Sequence, residues 1–184
     1  MILNFFYFAK AMWIKYPVIL LSFLIFALIQ VSFLPHFLIV GQFPGLVFAL
    51  FFVVVFFEDQ QEYVTGICSA LAAGFLLDII GPFSFGYHII FLLLVFGILK
   101  TVTYFLKERT HSYLFFYFIP MFLASFALHY AFLRAMAQMP HLELQITRNF
   151  FIALLYNAPA ASLLFYIYKK IYFLFNNKKQ LRLF

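Results

Sequence analysis

Charge is what this chain has least of. Across 184 residues only 10% are charged and only 6 are acidic. A soluble globule needs a polar shell that so few charges cannot supply, so that class is excluded. There is one cysteine, Cys68, which rules out an intramolecular disulfide and leaves the redox compartment undetermined. Catalytic patterns are missing too: no Ser/His/Asp or Cys/His set, no glycine-rich phosphate loop and no G-x-S-x-G. No pair of His, Cys, Asp or Glu stands at a metal-ligand spacing. The sequence therefore predicts no enzyme, no cofactor and no metal, and reads His88 and His129 as isolated helix histidines with local hydrogen bonds.

Apolar residues fill the space that charge leaves. Hydrophobic residues make up 67% of the chain and the mean hydropathy is +1.05, the composition of a polytopic membrane protein. The 31 Phe and 12 Tyr read as lipid-facing bulk and interfacial belts, not as a stacking platform for bases. The net charge of +6 comes from basic residues between apolar spans, where the positive-inside rule accounts for them without nucleic acid. Ala9-Lys10-Ala11 imitates a signal-peptidase site. No Lys or Arg precedes it and a longer apolar span follows, so no cleavage is expected.

Apolar runs and breakers divide the chain into an interfacial segment 1–16, a membrane domain 17–175 and a basic cytoplasmic tail 176–184. The first span runs from Pro17 to Leu34, with Pro17 in a first helical turn. Beyond Gly41, Pro44 and Gly45 the uninterrupted run Leu46 to Phe57 would rise only about 18 Å, against a hydrocarbon core of about 30 Å. Either the span is broken or tilted, or the Gly-Pro segment is a re-entrant piece shielded by protein. Further spans are Tyr63 to Ile80, Tyr87 to Leu106, Tyr113 to Leu133 with a kink at Pro120, and Phe150 to Phe175. The longest polar connection is Arg134 to Arg148. Six spans result, or five without the short run. With both termini inside, ten of the twelve basic residues lie on the inner side, leaving Arg134 and Arg148 outside.

The stretch Gly66 to Gly86 organises the rest. Gly66, Ala70 and Gly74 recur every four residues, and Asp78 continues the spacing, so a helix carries them as one stripe that admits a close neighbour. Asp78 costs too much in lipid to face it. Three readings stand for it: an ion pair with Arg134 or Arg148, a solvated position at a helix end, or the carboxylate of a proton- or ion-coupled carrier. Gly81-Pro82 ends the helix. Glu58, Asp59 and Glu62 read as a solvated acidic loop, Lys100 as snorkelling to headgroups, and Lys178, Lys179 and Arg182 as an anchor to anionic lipid. Asn157 before Pro159 reads as a kink device, its amide satisfying the carbonyl that proline frees.

The run Gly74, Asp78, Gly81-Pro82, Phe85-Gly86, His88 resembles the signature region of the MreD family of bacterial rod-shape-determining proteins: glycine, apolar residues, Asp, a Gly/Ser/Pro turn, a Leu-Gly or Phe-Gly pair and a His two residues on. Pro82 lies earlier than the Pro that often precedes the family's Leu-Gly pair. Length, span number, Leu34-Pro35 followed by an apolar stretch with Pro44, and the basic C-terminus agree with it. The resemblance implies an all-α integral membrane protein of about six transmembrane helices, N-in and C-in, similar in fold to the substrate-binding subunits of energy-coupling-factor transporters. It also implies a non-enzymatic scaffold subunit in the bacterial inner (cytoplasmic) membrane. Its partners would be an MreC-like membrane protein, the MreB-type filament machinery, and a RodA-type glycosyltransferase with its transpeptidase, which together place peptidoglycan synthesis.

On this reading the stripe and the Asp78 turn hold another membrane protein, and Gly74→Leu should weaken that association. The alternative is a small-solute-binding membrane subunit of a transporter, with a cavity near the outer face. A membrane enzyme of lipid or cell-wall chemistry is a third class, requiring outer polar residues to converge.

Overall fold

The apolar run after Pro44-Gly45 forms a helix, α2 (Leu46–Phe57), and every residue from Val47 to Phe57 is buried. The computed structural model describes residues 2–37, 44–58, 63–81, 85–106, 114–136 and 140–180. Around α2 stand α1 (Ile2–Ser32), α3 (Val64–Ile80), α4 (Tyr87–Leu106), α5 (Leu114–Met136) and α6 (Pro140–Gln180), with a 3-10 turn at Leu34–Phe37. The described residues contain no strand.

Among the described residues, four helices carry segments long and apolar enough to cross a membrane: Tyr16–His36, Tyr87–Phe105, Phe115–Phe132 and Phe150–Lys170. The other two apolar helices, α2 and α3, have 12 and 17 residues. The described residues thus form an all-α membrane protein, with four helices of spanning length and two shorter apolar ones. Leu46 to Phe57 is enclosed by protein: α2 packs against α1, α3, α4 and α6 and meets α5 through aromatic rings, while Gly41 of the Gly-Pro segment lies outside the described residues.

Those rings explain much of the phenylalanine. Phe48, Phe52 and Phe56 recur every four residues along one face of α2, and Phe118, Phe122 and Phe126 do the same on α5. The two rows interdigitate antiparallel, with Phe48 against Phe126 and Phe122, Phe52 against Phe122 and Phe118, and Phe56 against Phe118, at ring separations of 5.3–6.2 Å. Edge-to-face and tilted geometries predominate, as the ring quadrupoles favour. Much of the aromatic content expected to face lipid therefore lines the interior, where dispersion contact drives helix association. α6 runs parallel to α2, Phe165 and Tyr168 packing on Phe57 in tilted geometry.

A buried helix end must find partners for its first N–H groups, because neither lipid nor water is there to take them. Two neighbours supply them for α2. Gln30 of α1 accepts from the Val47 N–H at 3.1 Å, and Asn157 of α6 accepts from the Gly45 N–H at 2.8 Å.

Several boundaries differ from the sequence reading. α1 extends back to Ile2, so residues 2–16 continue the first helix and Pro17 lies in its interior. α6 begins at Pro140, so most of the connection expected over 134–148 is helical, and it continues through Gln180 into the expected tail. The helical backbone carries polar residues along with it; polarity alone does not stop a helix.

Candidate functional site: the Asp78 turn

Asp78 ends one helix and caps the next. Its carboxylate lies beneath the turn between α3 and α4, where Oδ2 accepts from the Gly86 N–H at 2.7 Å and Oδ1 from the His88 N–H at 2.8 Å. These donors belong to the N-terminal turn of α4, whose dipole favours a negative charge at that place. The His88 ring adds a third bond, Nδ1 lying 2.8 Å from Oδ1. A carboxylate only accepts, so Nδ1 carries the proton in this bond. Both residues are buried, at 6% exposure each.

Gly74, Gly81 and Gly86 belong to this construction. Gly86 has φ +95°, a conformation that favours glycine. Gly81 donates to the Leu77 carbonyl at 2.7 Å and leaves room for the His88 ring, which a Cβ would approach to 3.1 Å. At Gly74 a Cβ would lie 2.6 Å from Ile89 Cα, so the backbone of α4 passes directly over it. Phe85 is exposed and packs edge-on against Phe75. Pro82 lies outside the described residues.

These contacts correct two expectations. The stripe Gly66, Ala70, Gly74 is taken up inside the chain: Ala70 is fully buried, and Gly66 and Gly74 face Phe96 and Ile89 of α4. α4 lies along α3, so Gly66 and Gly74 meet their own hairpin. Asp78 is not solvated, and its described partners are His88 and the turn amides. The backbones of Arg134 and Arg148 lie in α5 and α6, but their side chains lie outside the described residues.

The opposite end of the same hairpin carries a second charged node. Glu58 follows α2; its Oε1 accepts from the Gly66 N–H at 2.7 Å and its Oε2 lies 3.1 Å from Lys100 Nζ. The Glu58 side chain is only 1% exposed. Lys100 also stands over the rings of Tyr63 and Phe96, at 5.2 and 5.9 Å. Glu58 is therefore no solvated loop residue, and Lys100 turns inward instead of snorkelling. The sequence held only a faint signal for this: an acid directly after an apolar run and a lysine late in another. Removing one charge from a buried pair leaves the other uncompensated, at a cost of about 3–5 kcal/mol. Glu58→Gln and Lys100→Met should each destabilise by about that much, while the double substitution recovers at least half. A double-mutant cycle of unfolding in detergent measures this, and additive losses would contradict it.

Asn157 is bound differently from the expectation. Its Nδ2 donates to the Ala153 carbonyl at 2.7 Å while Oδ1 caps α2, so its amide joins α6 to α2 and does not serve the carbonyl freed by Pro159. Gln30 was not foreseen at all, since a lone Gln in an apolar run has no sequence pattern to mark it. Among the described residues no group of three His, Cys, Asp or Glu could hold a metal ion.

No protein-family model, curated protein or solved structure matches this chain.

Proposed function

We propose that this chain is a non-enzymatic scaffold subunit of the MreD type, crossing the bacterial cytoplasmic membrane six times with both termini inside, and helping to position peptidoglycan synthesis during cell elongation. The observation that carries this reading is that Gly74, Asp78, Gly81, Gly86 and His88, the residues of the MreD-like run, serve one construction, a hairpin locked at its turn. A second support is how the buried polar groups are used. Asp78, Glu58, Gln30 and Asn157 each tie two elements together; a carrier would instead gather such groups around one site. A fixed bundle with extended apolar outer faces on α1, α3, α4 and α6 suits a subunit that holds its neighbours by shape. Since the stripe is internal, a partner would meet the lipid-facing side chains.

The test is isolation of the intact chain in native nanodiscs, with mass spectrometry of both proteins and small molecules. An MreC-like protein and a RodA-type synthase recovered in stoichiometric amounts are the expected result. A vitamin-like solute recovered with an energy-coupling module would replace this reading with that of a transport subunit.

A further inference from the structure

Among the described residues α3 is the shortest α-helix with an exposed apolar face. Its 17 residues rise about 25 Å, whereas the apolar segments Tyr16–His36 and Phe150–Lys170 have 21 residues each and would rise about 31 Å as helix. The row that α3 turns outward, Val64, Ile67, Leu71, Phe75 and Ile79, spans about 22 Å. α3 shares its depth with α4, a helix of spanning length: Gly66 faces Phe96, Gly74 faces Ile89 and Asp78 binds His88. Against a hydrocarbon core of about 30 Å, α3 falls short by about 5 Å.

An acid holds each end of this short helix. Glu58 Oε1 accepts at 2.7 Å from the Gly66 N–H, one of the first N–H groups of α3, which have no partner within the helix. Asp78, in the last turn, binds the amides that open α4. α4 grips both acids in return, through Lys100 Nζ at 3.1 Å from Glu58 and the His88 ring on Asp78. The two clamps stand twelve residues apart on each helix, Gly66 to Asp78 and His88 to Lys100, which is about 18 Å. A helix too short for its bilayer thins the bilayer, lets flanking side chains snorkel, or oligomerises, and tilting only shortens its reach. Here Lys100 and Asp78 are engaged inside the hairpin. Drawing α3 out at either end works against a clamp, so the lipid has to adjust.

We propose that the outward face of α3 is a thickness-selective lipid surface: it takes phospholipids with chains of about 14–16 carbons in preference to longer ones and thins the bilayer beside the hairpin. The longer apolar segments of α1 and α6 meet lipid of ordinary thickness. The bundle thus has a short wall and a long wall. The inference does not depend on the scaffold reading.

The chain has one tryptophan, Trp13, so a Trp13→Phe background accepts a single reporter. Leu71→Trp places it on α3 and Leu163→Trp on α6, both at exposed positions. The intact chain is reconstituted in phosphatidylcholines of 14 to 22 carbons, and quenching by brominated phosphatidylcholine in competition with each chain length gives the relative lipid affinity at each face. At Leu71→Trp the 14- or 16-carbon lipid should bind tightest and the 22-carbon lipid at least about threefold more weakly. At Leu163→Trp the short chains should hold no such advantage. If Leu71→Trp does not fold, Phe75→Trp, also exposed on α3, makes the same comparison. An optimum at 18 carbons or longer on α3, or no dependence on chain length there, overturns the proposal. So does an equal short-chain optimum on α6, which would make the shortness a property of the whole bundle. A reporter on α3 that no brominated lipid quenches overturns it as well, because protein and not lipid would then cover that face.

Discussion

Replacing Gly74 with alanine is expected to destabilise the protein by about 3 kcal/mol or more, and replacing it with leucine to leave little folded material in mild detergent. The added methyl would stand 2.6 Å from Ile89 Cα and 2.8 Å from Ile89 N. These are backbone atoms of α4, so no rotamer change relieves the clash and the helices must separate. Their separation is opposed by the Asp78 bonds at one end of the hairpin. Gly66 gives the internal comparison. A Cβ there meets the Phe96 ring and the Glu58 carboxylate, side-chain atoms that can move, so Gly66→Ala should cost less than Gly74→Ala. Gly86→Ala meets nothing within 4 Å but forces a side chain onto φ +95°, worth about 1–2 kcal/mol. Unfolding by denaturing detergent ranks the three variants. Gly74→Ala within about 0.5 kcal/mol of the parent protein, the range of an ordinary surface change, would show that α4 does not lie on α3 as described. Loss of a partner in Gly74→Leu then reports a lost fold, not a blocked interface.

The small-residue stripe shows how far spacing carries. Residues 66, 70 and 74 had to admit a close neighbour, and they do. Which neighbour arrives is set by the turn that brings α4 back, and periodicity holds no record of it. The length of Leu46 to Phe57 likewise announced that this run could not simply cross a bilayer. That it is shielded on every side depends on phenylalanines some seventy residues away, whose four-residue spacing on α5 acquires meaning only beside the matching row on α2.

Polar residues were the least legible. Glu58 and Lys100 each lie near the end of an apolar run, where a charge ordinarily finds water or headgroups; their mutual burial exists only once α2, α3 and α4 are assembled. Gln30 and Asn157 are read correctly only when the start of α2 is known to be buried and short of acceptors. Asp78 was legible in part: its cost in lipid required a protein partner. Distant arginines are the partners that composition offers, because backbone N–H groups eight and ten residues on leave no mark in it.

Asp78→Ala should cost about 3–5 kcal/mol, the scale for stripping the counter-group from a buried polar pair. The reason is specific to what remains: the Gly86 and His88 N–H groups and the His88 ring N–H all point into the space vacated. Asp78→Asn separates the possible roles of the carboxylate. Its single oxygen, placed where Oδ1 now sits, keeps both bonds to His88, but its NH₂ then faces the Gly86 N–H, donor against donor. Turning the amide over saves the Gly86 bond and sets the NH₂ against the two His88 bonds. The asparagine variant should therefore fall between the parent protein and Asp78→Ala, at a loss of about 2 kcal/mol, one lost bond plus an unsatisfied buried donor. If instead charge on Asp78 were what mattered, as in a pair with an arginine, asparagine and alanine would be equally damaging, since both remove it. Equilibrium unfolding of the two variants in the same detergent distinguishes the cases. An intermediate asparagine variant assigns Asp78 to the geometry of the turn, and with it the MreD-like run to the making of a hairpin.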